Sequence, residues 1–412
     1  MTLRYIAFYL PQYHPIPEND EWWGKGFTEW TNVTKAQPLF EGHYQPHLPT
    51  DLGFYDLRVR ETQRDQSRIA NAHGIDAFCF HYFWFNGHRL LERPIDDFVA
   101  DKSITQQFCL CFPNENWTRR WDAAENQVLI EQKYSPGWES AFIDSVIPYF
   151  RDDRYIRVDG KPLLIVYRPQ HIPDAREAAR IWKQRCEAAG LGGVHICAAL
   201  IRRNTDFLQF GFDSGVEFPP HNVTAPELRD SIQMKAPFSG NVYRYGDIAT
   251  EHTTRDYSVN PVFRTVFPSW DNTSRVGDRA LIVLDSTPKN YETWLRKASQ
   301  LTLSERAPDW QLVFINAWNE WAEGCHLEPD RKFGTKYLEA TLRAKSAPVA
   351  PANDSYESPE TNRLRAGKAP SPSGVAAIGW ARNSLAKWPP AFRFARAVYH
   401  LLRRARHYLQ RV

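Results

Sequence analysis

Glu320 and Glu323 stand three residues apart in "INAWNEWAEG" (Ile315 to Gly324), directly after the apolar run "QLVFI" and flanked by Trp318 and Trp321. Two carboxyl groups at this spacing can divide the work of glycosyl transfer. One, protonated, gives the leaving oxygen its proton; the other, ionised, serves as base or nucleophile. Neighbouring indoles raise one pKa by desolvation, and the nearby like charge pushes it further. A helix start accounts for one acidic residue here, but not for Trp318, Asn319 and Trp321. Taken alone, these residues leave both readings open.

The same residue types recur where other apolar runs end. Gln12, Tyr13, His14, Trp22, Trp23, Glu29 and Trp30 follow the first run, and His81, Tyr82 and Trp84 close the second. The third runs into "PNENWTRRWD", with Asn114, Glu115, Asn116, Trp117, Arg119, Trp121 and Asp122. Tyr167 and Arg168, then Glu217 and His221, then Trp270, Asp271, Asn272 and Arg275 of "PSWDNTSR" end later runs. Aromatic faces stack on the C–H face of a sugar ring, while carboxylates and carboxamides bind its hydroxyls. Trp, Tyr and Phe make up 14% of the chain, enough to wall such a site as well as fill a core. We therefore expect substrate contacts from Tyr13, Trp30, His81, Tyr82, Asn114, Glu115, Trp117, Arg119, Asp122, Tyr167, Glu217, Trp270, Asp271, Asn319 and Trp321 around a catalytic Glu320 and Glu323. Glu29, Glu115 and Glu217 could each join the machinery or simply bind hydroxyls.

Other chemistries leave different traces. A phosphate site shows glycine-rich loops at helix N-termini, and a zinc hydrolase shows histidines at ligand spacing. The histidines here are scattered and the six cysteines have no metal-ligand spacing, so neither metal nor cofactor is expected. No D-x-D motif for a metal-bound nucleotide sugar occurs.

Positioning such residues requires a scaffold that gathers chain ends from distant segments. Eight runs of strand length recur: Arg4–Leu10, Asp76–Phe83, Gln107–Phe112, Pro162–Tyr167, His195–Leu200, Asp213–Phe218, Phe263–Phe267 and Gln311–Ile315. Helical patterns such as Arg58–Gly74 and Asp174–Gly190 separate them, the latter with early acidic residues and a terminal glycine. Near-continuous apolar strands alternating with helices form a parallel sheet covered on both faces. This predicts an α/β fold, a (β/α)8 TIM-type barrel, whose functional residues follow the strands on one face. A doubly wound sheet would carry a glycine-rich turn after its first strand; "PQYHPIPENDEWWGKGFTEW" has none.

Composition divides the chain into a catalytic domain (1–345), a Pro/Ala/Ser-rich linker (346–384) and a basic amphipathic helix (385–412). In the last, Ala391, Phe394, Ala395, Val398, Leu401, Leu402, Ala405 and Leu409 form an apolar stripe opposite arginines. Residues 361–412 hold 11 Lys and Arg and no Asp or Glu, so of the net charge of +3 the first 360 residues carry −8. This asymmetry suits peripheral attachment to an anionic membrane surface; a solvated helix docking on the barrel or on a partner protein suits it equally. No signal peptide is evident, and no run reaches the roughly 18 apolar residues of a membrane span. Cys79, Cys109, Cys111 and Cys197 lie in apolar runs as small buried thiols, a pattern of a reducing cytosol. The expected location is cytoplasmic, at the inner face of the cell membrane, with no nucleic-acid partner.

"YIAFYLPQYHPIPENDEWWGKGFTEWTNV", "NENWTRRWD", "PSWDNTSR" and "NEWAEG" resemble the WbsX-type glycosyltransferase family of bacterial lipopolysaccharide and capsule gene clusters. That family is similar to glycoside hydrolase family 99, the endo-α-mannosidases. The resemblance covers about residues 3–345, with the four motifs in family order. It implies a (β/α)8 barrel acting on an oligosaccharide or lipid-linked glycan of a surface polysaccharide. It further implies that Glu320 is the base on the sugar's own 2-hydroxyl, giving an anhydro-sugar intermediate and net retention, with Glu323 as acid/base. Ala322 stands where the hydrolases usually have a larger residue, and the basic tail has no counterpart in them.

Overall fold

Eight short apolar strands pair edge to edge until the last meets the first. They are β1 (Arg4–Tyr9), β2 (Ala77–His81), β3 (Gln107–Phe112), β4 (Lys161–Val166), β5 (His195–Leu200), β6 (Ser214–Glu217), β7 (Val262–Val266) and β8 (Leu312–Ile315). Every neighbouring pair is parallel, and β8 closes the ring on β1 through Arg4↔Leu312 to Ala7↔Ile315. Both strand faces are buried, which is why the strands read as apolar runs and not as alternating ones.

The computed structural model describes residues 3–119, 124–201, 206–347 and 355–367. The chain divides into two units, Met1–Thr361 and Asn362–Val412, and the barrel belongs to the first. Its outer layer holds α1 (Arg60–Ala72), α2 (Arg93–Ala100), α3 (Trp138–Phe150), α4 (Ala175–Ala188), α5 (Tyr245–Thr253), α6 (Pro288–Glu305) and α7 (Lys336–Ser346). Among the described residues the β5–β6 connection has only a 3-10 turn, Leu208–Phe210. Local signals set the helix ends. Asp174 caps α4 by accepting from the Glu177 amide at 2.9 Å, and Gly190, at φ +78°, follows its end. In α1 the inward face is Gln63, Gln66, Ser67 and Ala70, a helical spacing filled largely by polar groups because Gln66 serves the site below.

The expected linker, 346–384, is not all linker. Residues 355–361 return to the barrel, where Asn290 exchanges two hydrogen bonds of 2.8 Å with Glu357. Buried Asp285 accepts from the Glu360 and Thr361 amides at the start of α8 (Pro359–Gly367). Composition could not show this, because the partners lie about 70 residues upstream. The basic helix expected at 385–412 lies outside the described residues. Among the described residues no helix is long and apolar enough to cross a membrane. All six cysteines are buried and free.

Candidate active site

After β8 the chain makes a short bridge, Asn319–Glu320 paired antiparallel with Cys325–His326, around a 3-10 turn, Trp321–Glu323. In a 3-10 turn residues i and i+3 eclipse, so the spacing of three puts the Glu320 and Glu323 side chains on one side. Gly324 closes the turn at φ +57°, where an added Cβ would lie 2.9 Å from the Asp271 carbonyl. That close approach matters because the segment after β7 braces the turn. The Asp271 amide donates to the Glu323 carbonyl (2.7 Å), Ser269 Oγ to Gly324 (2.5 Å) and Ser274 Oγ to Ala322 (2.6 Å).

One side chain binds the acidic cluster together. Arg275 donates from Nη2 to Glu320 (2.9 Å), from Nη1 to Glu323 (2.5 Å) and from Nε to Glu29 (2.8 Å), three carboxylates on one guanidinium. Burial alone would lower the Arg275 pKa; the three carboxylates outweigh it and hold it well above its usual value. Burial pushes the Glu323 carboxyl up to about 8, with the Glu320 and Glu29 charges adding to it and Arg275 opposing. This direction favours the protonated form, the form an acid needs. His81 Nε2 lies 3.9 Å from Glu320, and its pKa is lowered to about 4 by burial and by Arg275, which keeps the imidazole neutral.

These groups line a cavity of about 900 Å³, at the large end of ordinary ligand pockets. Of the expected residues, Glu320, Glu323, His81, Asn114, Glu115, Trp117, Tyr167 and Trp270 line it. Asn114 orders the wall by accepting from the Arg168 amide and donating to its carbonyl, and Glu115 pairs with Arg168. Trp270 Nε1, His81 Nδ1 and both amide atoms of Gln132, which also lines the cavity, are buried with no hydrogen-bond partner among the described residues. They stand available to ligand hydroxyls.

Seven other expected contacts are absent from the lining of this cavity, and their side chains are engaged with protein groups. Tyr13 donates to the Asn319 carbonyl (2.5 Å) and accepts from the Trp321 amide (3.2 Å). Asn319 is bonded on both sides of its amide to the Leu10 backbone. Trp30 packs on Tyr13 and Trp321 and donates to the Tyr55 carbonyl. Trp321 donates to Glu328, which also takes bonds from Gln66 and Tyr55. Asp271 pairs with His43 at 2.5 Å; burial would raise its pKa, and His43 together with hydrogen bonds from Thr273 and Gln45 holds it down. Tyr82 points outward to Ser145 of α3, since successive strand residues alternate and His81 points inward. Glu217, the last residue of β6, turns toward α5, where it pairs with His252 Nδ1 (2.9 Å) and accepts from Tyr257 (2.7 Å) and the Thr265 amide (3.1 Å). Asp122 lies outside the described residues, and of Arg119 only the backbone is described.

Because Glu217 stabilises this buried network, Glu217→Gln should cost about 3–5 kcal/mol, the usual penalty for leaving buried partners unpaired. Urea unfolding measures that loss, while turnover per folded molecule stays at the wild-type value.

The reading from sequence gave Arg275 no role. A signal existed: three acidic residues placed at one apolar pocket require a buried cation, and Arg275 is the basic residue at the end of the seventh run. Phe83, Phe218, His221 and Asn316 of the cavity wall were likewise unassigned.

A family model described as "Glycosyltransferase WbsX" matches residues 5–341. WxcX proteins from two strains of Xanthomonas campestris pv. campestris are each 46% identical over 343 residues, 82% of this chain and 49% of theirs. The chain thus spans about half the length of those relatives. Among solved structures, the fold is similar to the GH99 endo-α-mannosidase from Bacteroides thetaiotaomicron (TM-score 0.54, 14% identity, 88% of this chain and 98% of that one). It is also similar to a glycoside hydrolase-like protein (TM-score 0.52, 14% identity, 85% and 95%). Both support the (β/α)8 barrel.

Proposed function

The chain belongs to the WbsX glycosyltransferase family, and on that premise we propose that it transfers a glycosyl unit within a bacterial surface polysaccharide, with retention, through Glu320 and Glu323. Arg275 carries the reading. Its two Nη atoms bind one carboxyl group each, which brings Glu320 and Glu323 together at one place on the cavity wall, as a base and an acid acting on one sugar require.

Glu320 takes the proton of the sugar's 2-hydroxyl, whose oxygen attacks the anomeric carbon. As the bond to the leaving oxygen breaks, Glu323 gives that oxygen its proton. The acceptor hydroxyl then loses its proton to Glu323 and attacks the same carbon, the 1,2-anhydro ring opens, and Glu320 returns its proton to O2. Two inversions leave the configuration unchanged. Aromatic walls from Trp117, Tyr167 and Trp270 stack on the sugars and limit water.

The test is incubation with α-mannosides, nucleotide sugars and lipid-linked glycans, with products followed by mass spectrometry. Acceptor-dependent glycoside formation supports transfer. Free sugar released without acceptor dependence replaces transfer with hydrolysis. Binding without any product marks a sugar-binding barrel.

The proposed setting is the cytoplasmic face of the membrane, where the basic stretch 361–412 would meet anionic lipid at about 1 kcal/mol per basic residue near the surface. Deleting residues 385–412 should then abolish sedimentation with phosphatidylserine vesicles and leave the barrel folded. Unchanged sedimentation would rule the attachment out.

A further inference from the structure

Behind the catalytic turn lies a group of side chains that the proposed chemistry does not use. His47 Nδ1 is 3.1 Å from His326 Nε2, and Asp330 Oδ2 is 3.9 Å from the same nitrogen. The three ligating atoms lie within 4.8 Å of one another, and all three residues are buried. We propose that His47, His326 and Asp330 form a divalent-metal site, zinc by the character of its donors, that ties the turn carrying Glu320 and Glu323 to the loop around His47.

Two features favour this over a plain hydrogen bond between imidazoles. First, His326 Nδ1 sits 3.0 Å from the Glu328 carbonyl, to which it can only donate. That leaves the Nε2 lone pair directed at the cluster, the arrangement by which metal-binding histidines are oriented. Second, a hydrogen-bonded pair has no need of a third ligand, yet the Asp330 carboxylate converges on the same point. Its other oxygen is already engaged by the Phe333 amide at 2.6 Å. The nitrogen spacing is near the roughly 3.3 Å expected for two ligands on a tetrahedral zinc at about 2.0–2.1 Å. Two imidazoles and a carboxylate are a borderline donor set that suits zinc better than calcium or magnesium.

The location gives the ion a purpose. The His326 ring stacks on Trp321 at 3.7 Å and 14°, and Trp321 lies between Glu320 and Glu323 in the chain. An ion here would hold that indole, and so the turn, against the Tyr44–His47 segment. The sequence conceals the site because His47 lies 279 residues from its partner.

The test uses the untagged full chain, stripped with chelator, reloaded with zinc and dialysed. Elemental analysis should find about one zinc per chain, falling about ten-fold or more in His47→Gln and His326→Gln. Zinc should raise the thermal midpoint of the wild type and leave that of His326→Gln unmoved. Cobalt loading of the wild type should give the visible absorption of a tetrahedral site, a readout that stands even if neither variant folds. Wild type that retains no zinc and shows no cobalt spectrum would establish an ordinary imidazole pair and overturn the proposal. Zinc content equal in wild type and both variants would mean an adventitious ion only, and would overturn it equally.

Discussion

Glu323→Gln should lower turnover by about 10²–10⁴-fold, the usual contribution of a positioned acid–base group, and leave sugar binding nearly intact. The glutamine keeps the shape and can still accept from Arg275, but it has no proton to give. The wild-type pH profile should show the same group. Glu323 must be protonated to act as the acid, and burial raises its pKa to about 8. The rate therefore holds through neutral pH and declines as pH rises through about 8. Stability moves in the same direction for the same reason. A carboxyl whose folded pKa lies above its unfolded value binds more protons in the folded state, so its contribution weakens as pH rises from about 4.5 to about 8. Glu323→Gln removes that titration, and its unfolding midpoint should fall less than that of wild type over this interval. A flat rate profile to pH 9 together with unaltered turnover in Glu323→Gln would remove Glu323 from the reaction.

Arg275→Met should be the most damaging change in the barrel. It leaves the buried Glu29 and Glu320 and the half-buried Glu323 without the guanidinium that bridges them, at a cost of about 3–5 kcal/mol. Turnover should fall by at least about 10²-fold, because the carboxylates lose their fixed positions. Arg275→Lys restores the charge, but one ammonium cannot reproduce bonds from Nε, Nη1 and Nη2 to three partners. It should recover stability better than turnover. A measurement beyond folding separates positioning from mere structure. Arg275 holds the Glu323 pKa down, so the alkaline limb of any residual activity should move above pH 8 in Arg275→Met. A limb that stays in place would mean the guanidinium does not tune the acid.

The two predictions rest on features of different legibility. Glu320 and Glu323 are visible in sequence because a short turn needs only local spacing, and i, i+3 eclipsing follows from three residues per turn. Their countercharge is not visible in the same way: Arg275 lies 45 residues from Glu320 and 246 from Glu29. Trp321, Asn319, Tyr13 and Trp30 have the residue types of a sugar site, and they were assigned to it on type. Each is engaged elsewhere, in holding the turn to β1 and its loop. Residue type cannot distinguish a group that touches sugar from one that positions a neighbour, since both need an aromatic face or a hydrogen bond.

What the sequence determined unaided is the local and the periodic. Eight apolar runs of strand length separated by helical patterns require a covered parallel sheet, and each strand falls within about two residues of its expected run. The carboxylate pair and the aromatic character of the strand ends are likewise written in contiguous motifs. Tertiary structure alone decided which side chains meet. At a strand end the direction of a side chain alternates with each residue, so His81 enters the cavity while Tyr82 leaves it. Buried charges find partners by closeness in space, so Arg275 reaches three carboxyl groups from two separate segments and Glu217 turns toward His252. The physical reason is that hydrophobic pattern and turn chemistry act over a few residues, whereas electrostatic pairing in a low-dielectric interior is settled only once the barrel has closed.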